Sequence, residues 1–440
     1  MYRAPPRGPR RRLLTRPSSE FSLSKNEGTS VSMWLVGATV IDGTGADPVT
    51  GQAVLIEEGR IARVGGAPPV GAEVIDCSGG LTLMPGLIDA HVHLGWSSDT
   101  RAINQYELSV AELAADIFAN CTQTLHGGFT TVRDTGGIDG GLAGVVANGK
   151  IPGPRILQCG PIQCQTGGHG HLAADWEPTH LWDGHGIPGL RHMALLSDSP
   201  DQMRANVREA FRRGAQFIKL CVTGGVVSFH DQLSDTQFTV EEIRTAVHEA
   251  AARGTYVTVH AHNNTGLRNA IEGGVRCVEH GTAIDDEMAA LMADRDIAHV
   301  PTLAVVRDVL DDATRLGLPA EIAARATGAW QGQIDAIHAS RRAGVRLGLG
   351  SDLIGPGQDH RGTELVLRSQ VESPMAALVS ATATNADILG IGDQVGTIEA
   401  GKRADLVAFA GDPLADPSLF ADRDAVVLVI QRGRIVKDQR

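Results

Sequence analysis

Short apolar segments recur through the middle of the chain, with polar, helix-like stretches between them. Each apolar segment predicts a short buried strand, because it is rich in Val, Ile and Leu and is bounded by Gly or polar residues. The predicted strands cover residues 87–93, 129–134, 155–160, 216–221, 255–260, 275–280, 297–303 and 345–351. Each return to a parallel strand needs a crossover helix, so this alternation predicts an α/β fold, a (β/α)₈ TIM barrel. The alternative is a doubly wound open sheet, but no GxGxxG sequence follows an early strand to support it.

Two of the stretches between predicted strands carry clear helix-start signals. Thr239 and Glu242 have the spacing of a capping box, and the helix that they open stops at Gly254. Ser199 and Pro200 supply an N-cap and a first-turn proline for another helix. Both helices lie where the barrel needs a crossover.

Short strands and tight turns make up both ends of the chain. Strands are predicted near residues 34–42, 53–56, 60–64, 73–76, 405–409, 425–430 and 435–436. Neither end has enough strand to bury a core alone. We therefore predict a small β-sandwich built from both termini, with the barrel inserted into it. The predicted β-domain covers residues 33–84 and 393–440, and the predicted barrel covers residues 85–392.

Residues 1–32 differ in composition from the rest of the chain. They hold seven Arg and Lys residues against two Glu residues and have no apolar core, so they are a poor secretion signal. We expect a disordered or non-native leader with Met33 as the functional start, and an organelle-targeting segment is the alternative. The whole chain has a formal net charge of −12, which argues against nucleic acid as a general partner.

The apolar runs and the cysteines indicate the cellular setting. No run approaches about 18 apolar residues, so we predict no membrane span. The cysteines form no CxxC pair and show no disulfide-framework spacing, which is typical of reduced thiols in a cytoplasmic protein. They are Cys77, Cys121, Cys159, Cys164, Cys221 and Cys277. We interpret Cys221 as a packing residue of the barrel.

Possible metal ligands stand at the ends of several predicted strands. They are His91, His93, Lys219, His260, His280 and Asp352. Polar residues at the carboxyl ends of barrel strands are usually catalytic. His91 and His93 lie two apart on a strand, so both side chains face the same side and can hold one divalent ion. An HxH pair alone is weak support for a metal site, because such pairs also occur in structural and surface positions.

A longer motif around this pair is more specific. The run from Pro85 to His93, PGLIDAHVH, resembles the PGLIDxHxH signature of the amidohydrolase superfamily. The resemblance extends from Met33 to the end of the chain and includes the segment 396–407. It implies metal ligands on strands 1, 4, 5, 6 and 8, which are the residues just given.

The resemblance also implies a cofactor and a mechanism. Two divalent ions are bridged by Lys219, which CO₂ converts to a carbamate; a lysine paired with a carboxylate is the alternative. Zinc suits the His and carboxylate set, and manganese, cobalt or iron are not excluded by it. A metal-bridging hydroxide attacks the amide, and Asp352 shuttles a proton to the leaving amine. The spacing of the strand-5 and strand-6 ligands in the superfamily matches His260 and His280, so the resemblance implies His260 as the ligand and leaves His262 or His169 to stabilise the oxyanion.

Further motifs narrow the resemblance to one branch of the superfamily. They are residues 165–171, 223–226, 260–262 and 279–282. This branch contains dipeptidases and carboxypeptidases for Xaa-Pro or Xaa-Arg/Lys, ochratoxin-type amidases and imidazolonepropionase-related enzymes. The resemblance therefore implies hydrolysis of a small amide, a dipeptide or an N-acyl amino acid, by a homo-oligomer, commonly an octamer. The alternatives are a carbamate, phenylurea or cyclic-amide hydrolase and, remotely, a non-catalytic barrel scaffold.

The remaining candidates lie in loops or at strand ends. We expect His171, His230 and His360 to be loop or surface residues, and His169 either to cap a turn or to act in the site. Residues 177–198 form a long stretch that covers the site as a lid or contacts another subunit. Arg133 and Arg361 are the candidates for binding a substrate carboxylate.

Overall fold

The computed structural model describes residues 32–97, 108–228, 230–316 and 318–440. The expectation for residues 1–32 therefore lies outside the described residues, except for Ser32. The strands are β1 (Met33–Val36), β2 (Thr39–Val40), β3 (Val49–Thr50), β4 (Val54–Glu57), β5 (Arg60–Val64), β6 (Glu73–Asp76), β7 (Leu81–Pro85), β8 (Leu87–Val92), β9 (Phe129–Asp134), β10 (Gly137–Ile138), β11 (Arg155–Gln158), β12 (Ile162–Cys164), β13 (Arg191–His192), β14 (Ala194–Leu196), β15 (Ile218–Cys221), β16 (Val257–Ala261), β17 (Cys277–His280), β18 (Ala298–Val300), β19 (Leu406–Ala410), β20 (Val426–Gln431) and β21 (Arg434–Asp438).

The helices lie mainly between the central strands. They are α1 (Val110–His126), α2 (Gly140–Ala147), α3 (Pro200–Arg212), α4 (Val240–Ala251), α5 (Asn264–Gly273), α6 (Asp286–Asp294), α7 (Leu303–Asp312), α8 (Ala320–Ala343), α9 (Thr363–Val371), α10 (Pro374–Val379) and α11 (Asn385–Ile388). The two predicted helix starts are confirmed. Ser199 caps α3, and Thr239 forms a capping box with Glu242 at the start of α4. In the described part of the chain, no helix is long and apolar enough to cross a membrane.

Two parallel sheets form the centre of the molecule. One has the order β11-β9-β8, and the other has the order β14-β12-β15-β16-β17-β18. Because helices alternate with these strands, the predicted α/β class with parallel sheets is confirmed. The third predicted strand, 155–160, differs from the prediction. Gly160 has a φ of 68° and precedes Pro161, so the chain turns there and resumes as β12.

The last predicted strand, 345–351, is not a regular strand. Among its residues, Leu347 alone pairs with a neighbouring strand, through a parallel bridge to His299. Side chains supply hydrogen bonds to backbone groups of this segment. The Asn385 amide donates to Leu349 O at 2.8 Å and accepts from Leu349 N at 3.0 Å. The segment still lies against β8, because Ala90 N donates to Leu349 O at 3.0 Å.

The two ends of the chain form two further sheets that share one apolar core. Their orders are β5-β4-β1-β6 and β21-β20-β19-β7-β2-β3. Leu35 and Ile56 of the first sheet pack in one cluster with Leu83, Leu406 and Leu428 of the second. Both termini therefore contribute to this core, as the short strands at each end predicted.

The terminal sheets are joined closely to the central strands at Gly86, which separates β7 from β8. A Cβ atom at Gly86 would lie 2.2 Å from the Thr130 hydroxyl of β9, so this approach requires glycine. In the six-stranded terminal sheet, Val407 and Phe409 of β19 pack in one cluster with Leu87 and Phe129. This packing fixes the start of β8 and therefore the direction in which the strand carries its histidines.

Candidate metal centre

The residues predicted as metal ligands come together in one pocket. It lies beyond the carboxyl ends of the central parallel strands, where polar side chains follow apolar runs. The pocket lining includes the predicted site residues His91, His93, His169, Lys219, His260, His262, His280 and Asp352. The carboxyl ends of parallel strands are where α/β proteins place their ligands.

The donors fall into two groups, each close enough to hold an ion. In one group, ligand atoms of His91, His93 and Asp352 lie within 4.8 Å of one another. In the other, ligand atoms of His260, His262 and His280 lie within the same distance. The groups are adjacent, because the rings of His91 and His280 have centroids 4.9 Å apart. Imidazole nitrogens with one carboxylate are the donor set that zinc and other first-row divalent ions prefer.

Two of these residues have an unusual backbone conformation. His280 has a φ of 63° and Asp352 a φ of 55°, in the left-handed region that non-glycine residues rarely adopt. Such strain persists only where the surroundings impose it, and it concentrates at functional sites. Asp352 N donates to His91 O at 2.9 Å, which holds the aspartate beside β8.

A buried carboxylate orients His91. Glu279 Oε2 lies 2.8 Å from His91 Nδ1, and Arg133 Nη2 donates to Glu279 Oε1 at 2.6 Å. Thr258 Oγ1 donates to the same carboxylate. Burial favours the neutral acid, but Arg133 outweighs it and holds the pKa of Glu279 well below its usual range. The hydrogen bond fixes the His91 ring with its Nε2 towards Asp352, at 3.3 Å from Oδ1.

Hydrogen bonds also fix the other imidazole rings. His93 Nδ1 lies 2.9 Å from Gly136 O, and His280 Nδ1 lies 2.8 Å from Thr302 Oγ1. His262 Nδ1 lies 2.7 Å from Thr282 Oγ1. Metal-binding histidines usually carry such a partner on the nitrogen that does not bind the ion.

Burial controls the protonation of the second donor group. It lowers the pKa of His262 to about 3 and lowers the pKa of His260 and His280 well below the usual value, with neighbouring His and Lys charges adding to the effect. These imidazoles are therefore neutral at pH 7, which is the form that binds a metal ion.

The first donor group behaves differently because it contains a carboxylate. Burial opposes the charge on Asp352, but His91 and His93 outweigh it and hold the Asp352 pKa well below its usual value. Burial lowers the pKa of His93, and the Asp352 carboxylate, 3.2 Å from Nε2, more than reverses this. Asp352 is therefore an anion at neutral pH.

Lys219 is a buried lysine of this site. It lies in β15, its side chain is 2% exposed, and it lines the pocket among the candidate ligands. In the described part of the chain, no carboxylate forms an ion pair with its ammonium group. The alternative of a lysine paired with a carboxylate is therefore not supported. Burying an ammonium group without a carboxylate partner is costly, so a partner for Lys219 would stabilise the site.

His169 lies on the other side of the second donor group. Its ring stacks on His260 with centroids 4.1 Å apart, and its Nδ1 is buried without a partner among the described residues. Burial lowers its pKa. Gly225 makes room for the ring, since a Cβ atom there would lie 2.1 Å from His169 Cε1. The Gly-Gly sequence after β15 therefore permits a polar side chain from another loop to enter the site.

The pocket walls above the donors are apolar. They include Trp96, Ile162, Leu172, Met193, Val226, Val227, Val305, Val306, Val309 and Ile354. Met193 belongs to the segment 177–198, so part of that segment forms the wall. Trp182 anchors it through a hydrogen bond from Nε1 to Ala194 O at 2.8 Å, whereas Leu181 is 48% exposed.

The interpretation of Arg133 and Arg361 as substrate-binding residues is wrong. Neither lines the pocket, and both are buried. Arg133 is paired with Glu279, and Arg361 Nη1 lies 3.6 Å from Asp89 Oδ2. Both guanidinium groups are therefore used to hold internal carboxylates.

The remaining loop histidines do not line the pocket. His171 is a buried loop residue that accepts a hydrogen bond from Gly167 N at 2.9 Å, and the His360 side chain is 60% exposed. His230 bonds to Ala173 O at 2.6 Å. Their expected positions in loops are therefore confirmed.

Sequence reasoning missed the polar residues that hold the ligands. Asp89 Oδ1 accepts from His91 N at 3.1 Å and from Ser351 N at 3.0 Å, and so ties the residue before Asp352 to β8. Thr302 and Glu279 bond to candidate ligands as described above. The signal for Glu279 and Asp89 was a charged residue inside an apolar run, where burial requires a partner.

Comparisons with known proteins identify the family of this chain. The family model described as "Amidohydrolase family" matches residues 82–436. Ochratoxinase from Aspergillus niger is 30% identical over 419 residues, which cover 90% of this chain and 85% of that protein.

Solved structures extend the agreement to the fold. A prolidase complexed with N-methylphosphonate-L-proline is 34% identical with a TM-score of 0.87, over 93% of this chain and 100% of that one. A Xaa-Pro dipeptidase with methionine bound in its active site is 29% identical with a TM-score of 0.82, over 92% of this chain and 100% of that one. The fold is therefore TIM-barrel-like, and the chain belongs to the amidohydrolase family.

Proposed function

We propose that this protein hydrolyses the amide bond of a dipeptide, an N-acyl amino acid or an ochratoxin-type amide with the help of two divalent metal ions. Membership of the amidohydrolase family makes it a metal-dependent hydrolase that acts on carbon–nitrogen bonds. The observation that carries the finer proposal is the pair of adjacent donor groups, one neutral and one with an ionised aspartate, in a pocket that also contains Lys219. The prolidase, dipeptidase and ochratoxinase relatives support a small amide as substrate.

The donor set suggests how two ions would be held. His91, His93 and Asp352 would hold one ion, and His260 and His280 the other. Lys219 Nζ would bond to the carbon of CO₂ and release a proton, and the resulting anionic carbamate would supply oxygen donors to the ions. Zinc fits this set of nitrogen and oxygen donors. When bound, the ions would supply Lewis acidity that lowers the pKa of a water molecule and polarises the scissile carbonyl.

Asp352 is placed to move a proton. It is an anion at neutral pH, as the low pKa indicates. Its carboxylate would accept a proton from the attacking water and deliver it to the nitrogen of the leaving amine. The position of this carboxylate supports the role, because Oδ1 lies 3.3 Å from His91 Nε2 and 3.2 Å from His93 Nε2 within the site.

His262 and His169 would stabilise the oxyanion of the tetrahedral intermediate. The Thr282 hydroxyl can donate to His262 Nδ1, which places the ring proton on Nε2 and makes that nitrogen a donor. The low pKa values of both rings keep them neutral, so each offers one N–H without adding a buried charge. A donor fixed before the reaction needs no rearrangement as the negative charge develops.

The proposal includes the architecture and assembly around the site. We propose that the central strands and the segment 345–351 close into a barrel, residues 85–392, and that the terminal sheets form a β-sandwich from residues 33–84 and 393–440. We also propose a cytoplasmic homo-oligomer of up to eight subunits. Light scattering after size-exclusion chromatography measures the subunit number, and a monomer would contradict the assembly alone.

The experiment is to measure amino acid release from dipeptides and N-acyl amino acids by enzyme supplied with zinc and bicarbonate. We expect release of the C-terminal amino acid from at least one compound, and none from an Asp352→Asn variant that binds the same metal. Release by both proteins at the same rate would contradict the role of Asp352. No release by the wild type across the panel would contradict the proposed substrate class.

A further inference from the structure

The pocket contains a buried side-chain amide that the reaction described above does not use. Gln333 lies on α8 and is fully buried, although its helical neighbours Ala329, Ala336 and Ile337 are apolar core residues. It lines the same pocket as the candidate metal ligands. A buried amide costs stability unless both of its ends form hydrogen bonds, so each end requires an account.

One end of this amide is satisfied and defines its orientation. Gln333 Oε1 accepts a hydrogen bond from Thr302 N at 2.7 Å. The NH₂ end cannot take this position, because it would set one donor against another. Nε2 is therefore the other end, and it is buried without any hydrogen-bond partner among the described residues. The Gln333 side chain lines the pocket, so a molecule bound there can supply the missing partner for these N–H groups.

The surroundings of Gln333 indicate what that partner is. Helices α7 and α8 pack together through a cluster that contains the pocket residues Val226, Val305 and Val309, so this wall is apolar. Among the described lining residues, Lys219 is the one cationic side chain, and the proposed reaction uses it. The proposed metal ions would lie at the donor groups, whereas the described lining residues of this wall carry no charge, so an anionic group held against it would lose its hydration. An uncharged oxygen on an apolar group has no such penalty.

We propose that Gln333 Nε2 donates a hydrogen bond to an uncharged carbonyl oxygen of the substrate, other than the scissile one, carried on an apolar arm. This inference rests on the proposed amide hydrolysis and narrows its substrate class. Gln333 is then a substrate-binding residue that selects amides with a second carbonyl. Because Gln333 Oε1 accepts from Thr302 N, Nε2 is the end that faces the substrate arm. An arm with a methylene in place of the carbonyl would leave Nε2 without a hydrogen bond.

Gln333 also touches the metal site indirectly, and this gives a competing explanation. Gln333 accepts a hydrogen bond from Thr302 N, and the Thr302 hydroxyl is hydrogen-bonded to His280 Nδ1. If Gln333 acted only by positioning Thr302, its replacement would weaken metal binding and slow every substrate equally. If it also binds substrate, its replacement slows substrates with the carbonyl more than substrates without it. The two roles therefore differ in their dependence on the substrate.

The test combines variants with matched substrates. The substrates are pairs of N-acyl amino acids whose acyl arms carry either a ketone carbonyl or a methylene at one position, scanned along the arm. The variants are Gln333→Met and Gln333→Glu, of which the second keeps an acceptor for Thr302 N if the first does not fold. Gln331→Met and Gln331→Glu are the controls, because Gln331 is exposed on the same helix. The readouts are kcat, KM and bound metal per chain.

We expect the wild type to prefer the ketone by about tenfold in kcat/KM at one position, mainly through KM. The Gln333 variants should lose this preference, because their kcat/KM falls about tenfold more on the ketone compound than on the methylene compound, and the Gln331 controls should retain it. The absence of a preference in the wild type, or an equal loss on both compounds, would overturn the inference. So would a preference for a carboxylate arm.

A binding measurement separates this inference from the proposed function. The same pairs, with a sulfonamide in place of the scissile amide, are titrated calorimetrically into wild type and Gln333→Met. If the wild type hydrolyses nothing but binds the ketone ligand about tenfold more tightly, and the variant does not, the proposed function fails and the role of Gln333 stands. If the wild type hydrolyses amides but binds the ketone and methylene ligands equally tightly, the proposed function stands and the role of Gln333 fails.

Discussion

Replacing Glu279 by glutamine would break the buried hydrogen-bond network beneath His91. Glu279 is fully buried, and its two oxygens receive Arg133 Nη2 at 2.6 Å and His91 Nδ1 at 2.8 Å. Glutamine keeps the shape but removes the negative charge, and its NH₂ group accepts no hydrogen bond, so Arg133 or His91 loses its acceptor. The Arg133 guanidinium then remains buried without a counter-charge.

Two magnitudes follow from this geometry. Leaving one member of a buried ion pair uncompensated costs about 3–5 kcal/mol of the free energy of unfolding. Loss of a carboxylate that orients a metal-binding histidine lowers metal affinity by about 10- to 100-fold. The carboxylate is ionised throughout the physiological range, since Arg133 lowers its pKa against the effect of burial. The two losses should therefore appear together at pH 7.

The assay compares Glu279→Gln with Glu287→Gln by urea denaturation and by competition with a metal chelator. Glu287 is 72% exposed in its ion pair with Arg268, so its replacement should cost less than about 1 kcal/mol and leave metal affinity unchanged. If Glu279→Gln costs no more than the control, the buried pair does not stabilise the fold. If metal affinity is also unchanged, Glu279 does not orient a ligand.

Three further predictions concern other parts of the structure. Gly225→Ala should lower kcat/KM by at least about tenfold with little loss of stability, because the new methyl group displaces His169. Unchanged kinetics would mean that His169 takes no part in the reaction. Gly86→Ala should destabilise the protein by about 1–3 kcal/mol in denaturant unfolding. The control Gly144→Ala lies in an open helical position and should stabilise the protein by up to about 1 kcal/mol. Equal effects of the two variants would contradict the close approach at Gly86. Burial raises the pKa of Glu364 from 4.5 to about 8, against the effect of a nearby arginine, so the folded state keeps a proton that the unfolded state releases. Stability should therefore fall as pH rises through this window, at about 1.4 kcal/mol per pH unit, and Glu364→Gln should remove that slope; an unaltered slope would contradict the assignment.

The candidate ligands could be predicted from sequence because each follows an apolar run. His91, His260 and His280 stand at the ends of buried strands, and parallel strands place their ends at one edge. The α/β class followed from the same alternation. These features depend on local pattern and on a few general rules of topology, so the sequence carries them directly.

Other features depend on contacts between distant parts of the chain. Asn385 replaces strand pairing at Leu349, although the two residues are far apart in sequence. The sequence alone allows Arg133 to be a substrate-binding residue, but in the structure it pairs with Glu279 of another strand. Gln333 looks like an ordinary helical residue, because its unpaired Nε2 is defined only by the packing around it. Sequence periodicity cannot show which buried polar groups have found partners.

The most direct test of the two-metal proposal is the metal content of purified wild type and Lys219→Ala, measured by mass spectrometry after growth with zinc, together with amide hydrolysis. We predict two ions per chain in the wild type, and in the variant the loss of at least one ion and of hydrolysis, because the bridging ligand is gone. A variant that keeps both ions and its activity would contradict the proposal.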